Sequence, residues 1–246
     1  MKLLVCISKT PDTTARIAFT DNNTTFDSNG VAMIMNPYDD WYALVRAIEL
    51  KEAAGGTVTV INVGPASNDT IIRKGLALGA DNAVRIDIEP KSAIDTARQI
   101  ASYARDKGFD MILSGKETID YNGSEVGAMV AELLDLPFVS YATRLDREGD
   151  LAVVSREIEG GTEVVEVAGP FVLSAAKGLA TQRIPNMMGI MKAKRSTIVV
   201  IAPAEGASPV HVAEYALPPE KGGVKLVDPD QMDELVSLLH REARAL

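Results

Sequence analysis

One segment of the sequence has the composition of an anion-binding loop. It reads Gly-Lys-Glu-Thr-Ile-Asp-Tyr-Asn-Gly-Ser-Glu-Val-Gly from Gly115 to Gly127, and it joins an apolar run to a helical pattern that ends near Leu134. Glycine, asparagine and serine free backbone N–H groups at a helix N-terminus, where the helix dipole favours a phosphate. Gly123 would allow close backbone approach and a positive φ. Such loops also serve simply as turns and caps, so the residues alone leave phosphate binding and plain capping equally open.

Two other junctions between predicted strands and helices carry similar residues. Asn36-Pro37-Tyr38-Asp39 predicts a helix start, with Asn36 as the cap and Pro37 in the first turn. Val63-Gly64-Pro65 ends a predicted strand. Because ligands of parallel α/β sheets bind at the carboxyl ends of the strands, the three junctions together predict an adenine-nucleotide site.

A second segment, from Lys177 to Lys194, is rich in Met, Gly and Lys and lies between two apolar strands. This composition predicts an exposed loop, and flexible Met side chains adapt to many partner shapes. Composition alone is also consistent with a basic surface loop that has no partner.

Other chemistry is sparse. The two histidines, His211 and His240, both lie near the C-terminus, which argues against a His-based triad or a His/Cys metal site. The Walker A, dinucleotide-binding and nucleophile-elbow motifs do not occur. The sequence therefore predicts a binding protein with no catalytic residues of its own and no metal.

Composition narrows the partners. The 246 residues have a formal net charge of −9, which argues against nucleic acid or an anionic membrane as the main partner. The single cysteine, Cys6, lies in an apolar run and is predicted to be a small buried hydrophobe. We recognise no signal peptide or membrane-spanning stretch, so we expect a cytoplasmic protein.

Short β-branched runs alternate with helical patterns, which predicts an α/β fold with a mostly parallel sheet covered on both faces. Trp41, Leu44, Val45 and Ile48 share one helical face. The predicted strands are Leu3 to Ile7, Val58 to Val63, Ala83 to Ile86, Met111 to Leu113, Phe171 to Ser174 and Ile198 to Ile201.

Three regions depart from this alternation. Ile17 to Val31 predicts an inserted hairpin, and Leu145 to Val167 predicts an antiparallel meander. After Ala202 a proline-punctuated tail ends in a helix that we expect to be capped by Asp228, with Pro229 at its first position. Met232, Leu235, Val236 and Leu239 give that helix an apolar face, which needs a partner surface to bury it.

Several motifs, in order and at compatible spacing, resemble the β subunit of electron transfer flavoproteins. They are Met35-Asn36-Pro37, Leu50-Lys51-Glu52, Val63-Gly64-Pro65, Ala77-Leu78-Gly79-Ala80-Asp81, Gly115-Lys116 with Ile119-Asp120, and Arg156-Glu157-Ile158-Glu159-Gly160-Gly161. The resemblance implies a Rossmann-like, doubly wound sheet of the adenine nucleotide hydrolase-like type, with an antiparallel meander and an extended C-terminal arm. Residues 1–202 would form the nucleotide-binding domain, and residues 203–246 would pack on an α subunit.

The resemblance also implies cofactors and partners. The α subunit would hold most of an FAD shared at the interface, and this chain would bind AMP. Dehydrogenases, acyl-CoA dehydrogenases among them, would dock on the segment from Lys177 to Lys194, and electrons would pass on to an acceptor oxidoreductase. The implied AMP-site residues are Cys6, Asn36, Pro37, Tyr38, Asp39, Val63, Gly115, Lys116, Glu117, Thr118, Ile119, Asp120, Tyr121, Asn122, Gly123, Ser124, Glu125 and Val126, and the implied docking residues are Met187, Met188, Ile190, Met191 and Lys192.

Two alternatives remain open. One is a free-standing adenine-nucleotide-binding regulatory module, which would need neither the tail nor the Met-rich segment. The other is the electron-bifurcating variant of the family, which carries a second FAD in place of AMP; Tyr121, where those members usually have Gly, favours AMP. Glu125, where relatives commonly have Gln, would disfavour a phosphate unless it points away or pairs with Lys116.

Overall fold

The computed structural model describes residues 1–206, 208–220 and 222–246. The chain divides into two compact units, Met1–Ala213 and Glu214–Leu246. None of the helices within these described ranges is long and apolar enough to cross a membrane.

The larger unit alternates strands and helices, as the sequence predicts. Its strands are β1 (Lys2–Cys6), β2 (Lys9–Pro11), β3 (Phe19–Thr20), β4 (Thr25–Phe26), β5 (Met33–Met35), β6 (Thr57–Val63), β7 (Asn82–Ile86), β8 (Met111–Gly115), β9 (Phe138–Glu148), β10 (Leu151–Ile158), β11 (Gly161–Ala168), β12 (Phe171–Ala175) and β13 (Val199–Ile201). Its helices are α1 (Asp39–Ala54), α2 (Asp69–Leu78), α3 (Ala93–Ala104), α4 (Val126–Leu134) and α5 (Met187–Arg195), with a 3₁₀ turn at Ala66–Asn68.

Nine strands form one sheet in the order β11-β10-β9-β12-β8-β1-β6-β7-β13. In this spatial order, each pair of neighbouring strands from β9 through β12, β8, β1, β6 and β7 to β13 is parallel. β9, β10 and β11 form the antiparallel meander. The chain moves outward from β1 through β6 to β7 on one side, and through β8 to β12 on the other. This is the doubly wound, Rossmann-like order, and its switch point lies between β1 and β8.

Both faces of the central strands are buried. One apolar cluster includes Trp41, Leu44, Val45 and Ile48, so the predicted stripe of α1 is core. The cluster on the opposite face includes Ala97 and Ile100 of α3 and Val130 and Ala131 of α4. Alternate residues of a strand point to opposite faces, so a strand covered on both faces reads as a continuous apolar run such as that of β1.

The predicted insertions are confirmed with shifted bounds. β3 and β4 form a hairpin whose turn residues Asp21, Asn22 and Asn23 have φ of 51°, 56° and 62°. The meander is present, but β9 begins at Phe138, before the predicted start at Leu145. Parallel pairing with β12 extends β9 toward its N-terminus.

The smaller unit contains α6 (Met232–Leu238), followed by a π-helical turn over Leu239–Ala243. The predicted helix start at Pro229 is wrong. Asp228 instead closes a turn, because its side chain accepts the N–H of Asp230 at 3.0 Å and its carbonyl accepts the N–H of Gln231 at 2.8 Å. Met232 and Val236 on the predicted apolar face are exposed within this unit.

Candidate functional site

The structure brings the three predicted junctions to one edge of the sheet. β6 ends at Val63 and β8 at Gly115, and both strands run parallel to β1, which lies between them and ends at Cys6. The third junction lies beside the end of β1, because the N–H of Asn36 donates to the carbonyl of Ser8 at 2.8 Å. β1 and β8 flank the switch point, where open α/β sheets form a crevice for ligands.

Asn36 joins two of the junctions. Its side chain is fully buried, its Nδ2 donates to the carbonyl of Glu117 at 3.0 Å, and its Oδ1 accepts the N–H of Ile119 at 3.1 Å. The prediction that Asn36 caps α1, with Pro37 in the first turn, is therefore wrong. The helix begins at Asp39, and Tyr38 occupies the cap position with φ 66° and without a side-chain cap. The Asn36 amide instead holds the loop from Gly115 to Val126.

The loop from Gly115 to Val126 is built around Glu117. The Glu117 carboxylate lies 3.3 Å from Lys116 Nζ and accepts the Ser124 hydroxyl at 3.2 Å. Lys116 thus pairs with its sequence neighbour, whereas Glu125 is exposed.

The backbone of this loop differs from the prediction at Gly123. Positive φ occurs on either side of it, at Asn122 (50°) and Ser124 (52°), whereas the φ of Gly123 lies outside that region. Gly123 therefore does not adopt the positive φ that a glycine allows, and the left-handed conformations fall on its two neighbours. Turns of this kind can aim successive N–H groups to one side and form an anion-binding concavity.

The residues at the end of this loop fit a phosphate. Glu125 occupies the cap position of α4 and makes no side-chain capping hydrogen bond. The N–H groups of a first helical turn have no partners within the helix, so they remain available to an anion. In addition, the hydroxyl of Ser114, just before the loop, is buried and has no hydrogen-bond partner within the described ranges. Uncapped N–H donors and a buried hydroxyl are groups that a phosphate would satisfy.

The charged side chains near the crevice include Asp39, Lys116 and Glu117, and they influence one another. Burial raises the pKa of Asp39 to about 6, against the opposing effect of the nearby Lys116 charge. Burial disfavours the charged form of Lys116, but the hydrogen bond and charge of Glu117 outweigh it and raise the Lys116 pKa, so Lys116 is a cation. Burial also raises the pKa of the Cys6 thiol, which keeps it a neutral apolar group as predicted. Within the described residues no group of His, Cys, Asp and Glu side chains could hold a metal ion.

The predicted docking loop is partly helical. α5 begins at Met187, and its cap residue Asn186 accepts the N–H of Gly189 at 2.7 Å. The prediction of a loop throughout this segment is therefore wrong. Met187 is 73% exposed and Met188 82% exposed, and Ile190, Met191 and Lys192 are also exposed. An open groove here is lined by Met187, Met188, Met191, Lys192, Arg195 and Ser196.

α5 is mounted on α2 by contacts that sequence reasoning missed. Arg73 donates from Nη1 to the carbonyls of Ala193 at 2.7 Å and Ser196 at 3.1 Å, which caps the C-terminus of α5. Gly189 lies so close to α2 that a Cβ there would stand 2.3 Å from the carbonyl oxygen of Ala77. The glycine in Met-Met-Gly-Ile was the available signal, because a helix-interior glycine often marks close backbone approach.

Comparison with known proteins decides the family. Residues 23–206 match the model of the electron transfer flavoprotein domain. The electron transfer flavoprotein subunit beta of Bacillus subtilis is 35% identical over 260 aligned residues, covering 100% of both chains. The subunit beta of Syntrophomonas wolfei is 36% identical, covering 93% of this chain and 90% of the relative. The chain belongs to the electron transfer flavoprotein β-subunit family.

Another relative, the caffeyl-CoA reductase-Etf complex subunit CarD of Acetobacterium woodii, is 32% identical over 97% of this chain and 96% of its own. Electron transfer is the role of the electron transfer flavoprotein family, whose members carry electrons rather than act as catalysts.

Some motif residues of this family have a structural role here. Lys51 Nζ donates to the carbonyl of Gly79 at 2.7 Å and pairs with Asp81 at 3.1 Å. Asp81 also accepts the N–H of Val58 at 2.8 Å. These contacts fix the start of β6, at the edge opposite the crevice. Arg156 pairs with Glu163 at 2.7 Å and donates to the hydroxyl of Ser140 at 2.9 Å, which braces the meander.

Proposed function

We propose that this chain binds AMP in the crevice between β1 and β8, as the β subunit of a heterodimeric electron transfer flavoprotein. The observation that carries the proposal is the uncapped N-terminus of α4, which follows the loop Gly115 to Val126 at the switch point. The phosphate would bind the N–H groups at the end of this loop, and Lys116 would contribute positive charge. The adenosine would lie against Cys6, Val63 and the segment Asn36 to Asp39.

The AMP would be structural, as the resemblance to the electron transfer flavoprotein β subunit implies. A nucleotide that binds the folded chain and not the unfolded chain stabilises the folded state. Asn36 would contribute to this stabilisation, because it joins the segment before α1 to the loop before α4. A bound nucleotide touching both segments would hold them in one arrangement.

FAD would lie mostly in an α subunit, and this chain would form part of the FAD site. When bound, FAD would supply the redox chemistry. The smaller unit, Glu214–Leu246, would pack on the α subunit. Its exposed apolar side chains support this, because large exposed apolar surface marks interaction sites. They are Leu217, Val224, Leu226, Met232, Val236 and Leu246.

α5 would dock partner dehydrogenases. Exposed methionines beside Lys192, Lys194 and Arg195 form a surface that is apolar at its centre and basic at its end. Met187 would act as the anchoring side chain. A free-standing regulatory module would have no use for such a surface, and this favours the electron-carrier function over that alternative.

The other candidate is a second FAD in place of AMP. The similarity to a subunit of a caffeyl-CoA reductase-Etf complex supports this candidate. Tyr121 is exposed in the loop from Gly115 to Val126, where its ring would crowd the flavin portion of an FAD as it leaves the crevice. This favours AMP.

The proposal is tested by reassembly. The chain and its α subunit are refolded together with FAD, with and without added AMP. We expect AMP to raise the yield of yellow αβ dimer several-fold and CMP to have no effect, because the adenosine pocket is specific. Equal yields with AMP, with CMP and without nucleotide would contradict a structural AMP site.

A further inference from the structure

Asp40 is a buried carboxylate that bridges the two strands at the switch point. It is the second residue of α1 and is only 3% exposed. Its Oδ2 accepts the N–H of Ser8, just after β1, at 2.7 Å, and its Oδ1 accepts the N–H of Gly115, the last residue of β8, at 3.2 Å. Each carboxylate oxygen therefore holds one strand end.

This bridge begins where the sheet pairing stops. β1 and β8 are in register from Leu3 opposite Met111 to Val5 opposite Leu113. Beyond that register the two strands part and the crevice opens. Asp40 takes over as the connection between them, and its position fixes where the loop after Gly115 starts.

Gly115 lies so close to Asp40 that there is no room for a side chain at this position. A Cβ on Gly115 would lie 2.2 Å from Oδ1 of Asp40 and 2.9 Å from its backbone nitrogen. A glycine at this place is therefore needed for close approach of the carboxylate, and the Gly-Lys motif of the loop and the carboxylate on α1 form one unit.

We infer that Asp40 is a positioning residue of the nucleotide site: its carboxylate ties the end of β1 to the end of β8 and so sets the shape of the crevice that holds AMP. The inference rests on the AMP function proposed above. Asn36 holds the loop at Glu117 and Ile119, and Asp40 holds it at Gly115, so the loop is fixed at three successive points.

Asp40 is costly to the fold, which supports a role in the site. Burial raises its pKa to about 7, against the lowering effects of the Ser8 N–H and the Asn36 side chain, and the Asp39 charge raises it further. The other titratable groups of this region are the buried Cys6 thiol and the Lys116–Glu117 pair, whose charges act on Asp39. Near neutral pH, burying the charged form of Asp40 costs folding free energy, and the N–H groups of Ser8 and Gly115 offset only part of that cost.

The protonation state should therefore be visible in nucleotide binding. The carboxylate accepts both N–H groups, whereas the protonated acid presents its O–H toward one of them and loses that bond. We expect the αβ complex to release AMP more slowly above pH 7 than at pH 6. The phosphate of AMP and the carboxyl of Asp39, whose pKa is about 6, titrate in the same range. Both are present in every variant, so the contribution of Asp40 is read from the difference between the profiles.

The test compares Asp40→Asn with a matched control in the intact αβ complex. Asp110 accepts the N–H of Lys2 at 2.7 Å and joins the same two strands at their opposite edge. We expect Asp40→Asn to weaken AMP binding roughly tenfold to a hundredfold, the range for loss of a charged hydrogen bond, and to flatten the pH profile between 6 and 8 relative to wild type. Asp110→Asn should keep the wild-type AMP affinity and profile.

Three results would overturn the inference: AMP affinity of Asp40→Asn within twofold of wild type, an unchanged pH profile, or an equal loss in Asp110→Asn. If Asp40→Asn fails to assemble, Gly115→Ala takes its place, because the added Cβ displaces the carboxylate while keeping the charge. Wild-type affinity in Gly115→Ala would equally overturn it. A wild-type complex that never binds AMP refutes the proposed function itself.

Discussion

Gly189→Ala should weaken partner docking by moving α5 away from α2. Alanine is the better helix former by about 1 kcal/mol, so propensity alone predicts a stabilising change. The structure predicts the opposite. The new Cβ would stand 2.3 Å from the carbonyl oxygen of Ala77, and real Cβ atoms essentially never approach closer than 3.0 Å. The helix must therefore retreat by roughly 0.7 Å, and overpacking of this kind costs about 1–3 kcal/mol.

The retreat also strains the two hydrogen bonds from Arg73 to the end of α5. We expect the variant to unfold at a slightly lower temperature than wild type. Its apparent dissociation constant for a reducing dehydrogenase should rise roughly tenfold, equivalent to about 1.4 kcal/mol. The assay is reduction of the flavin in the αβ complex as partner concentration is varied, with the flavin spectrum recorded as a check on the redox site.

Gly161→Ala is the matched control, because a Cβ there meets nothing within 4 Å. It should leave partner affinity unchanged. A Gly189→Ala complex that is more stable than wild type and binds its partner equally well would refute the idea that close packing on α2 positions α5.

Three further outcomes are expected. Met187→Ala should cost roughly 1–3 kcal/mol of partner association, the range for a buried interface side chain, with the maximal reduction rate and flavin spectrum kept; equal affinity would retire Met187 as an anchor. Asn122→Val should lower AMP content, because a β-branched residue is strained at φ 50° by about 1–3 kcal/mol, whereas full AMP occupancy would show that the left-handed turn is dispensable. Asp40 has a folded pKa of about 7 against an ordinary 3.8. The folded state therefore keeps a proton that the unfolded state releases between these values, and stability falls as pH rises through that window, by up to about 4 kcal/mol. In urea unfolding of the nucleotide-free chain, the stability of Asp40→Asn relative to wild type should therefore increase as pH rises from about 5 to 8. A stability difference that stays constant over this range would exclude the titration.

The fold was readable from the sequence because its core strands are buried on both faces. Such strands give continuous apolar runs, and the helix stripe from Trp41 to Ile48 shows the core face directly. α3 escaped prediction although its start carried a signal, since Ser92 accepts the N–H of Asp95 as a helix cap. The buried apolar residues of α3 are mostly alanines, which are a less distinctive core signal than the large apolar residues of α1.

The site could be predicted only as a set of junctions. Asn36 has the residue type of a cap, and the sequence does not reveal that its amide reaches residues more than eighty positions away. Asp40 lay beside a predicted site residue, but its role depends on two strand ends that only the sheet order brings together. α5 buries only Ala193, and its other apolar residues are exposed, so it has no core-facing stripe. Its contact with Arg73 is tertiary and leaves no local pattern.

The nucleotide content of the purified αβ complex bears most directly on the proposed function. Denaturing the complex releases its nucleotides, which chromatography separates and absorbance quantifies. We predict one AMP and one FAD per heterodimer. Two FAD and no AMP, or FAD alone, would contradict the AMP site at the crevice between β1 and β8.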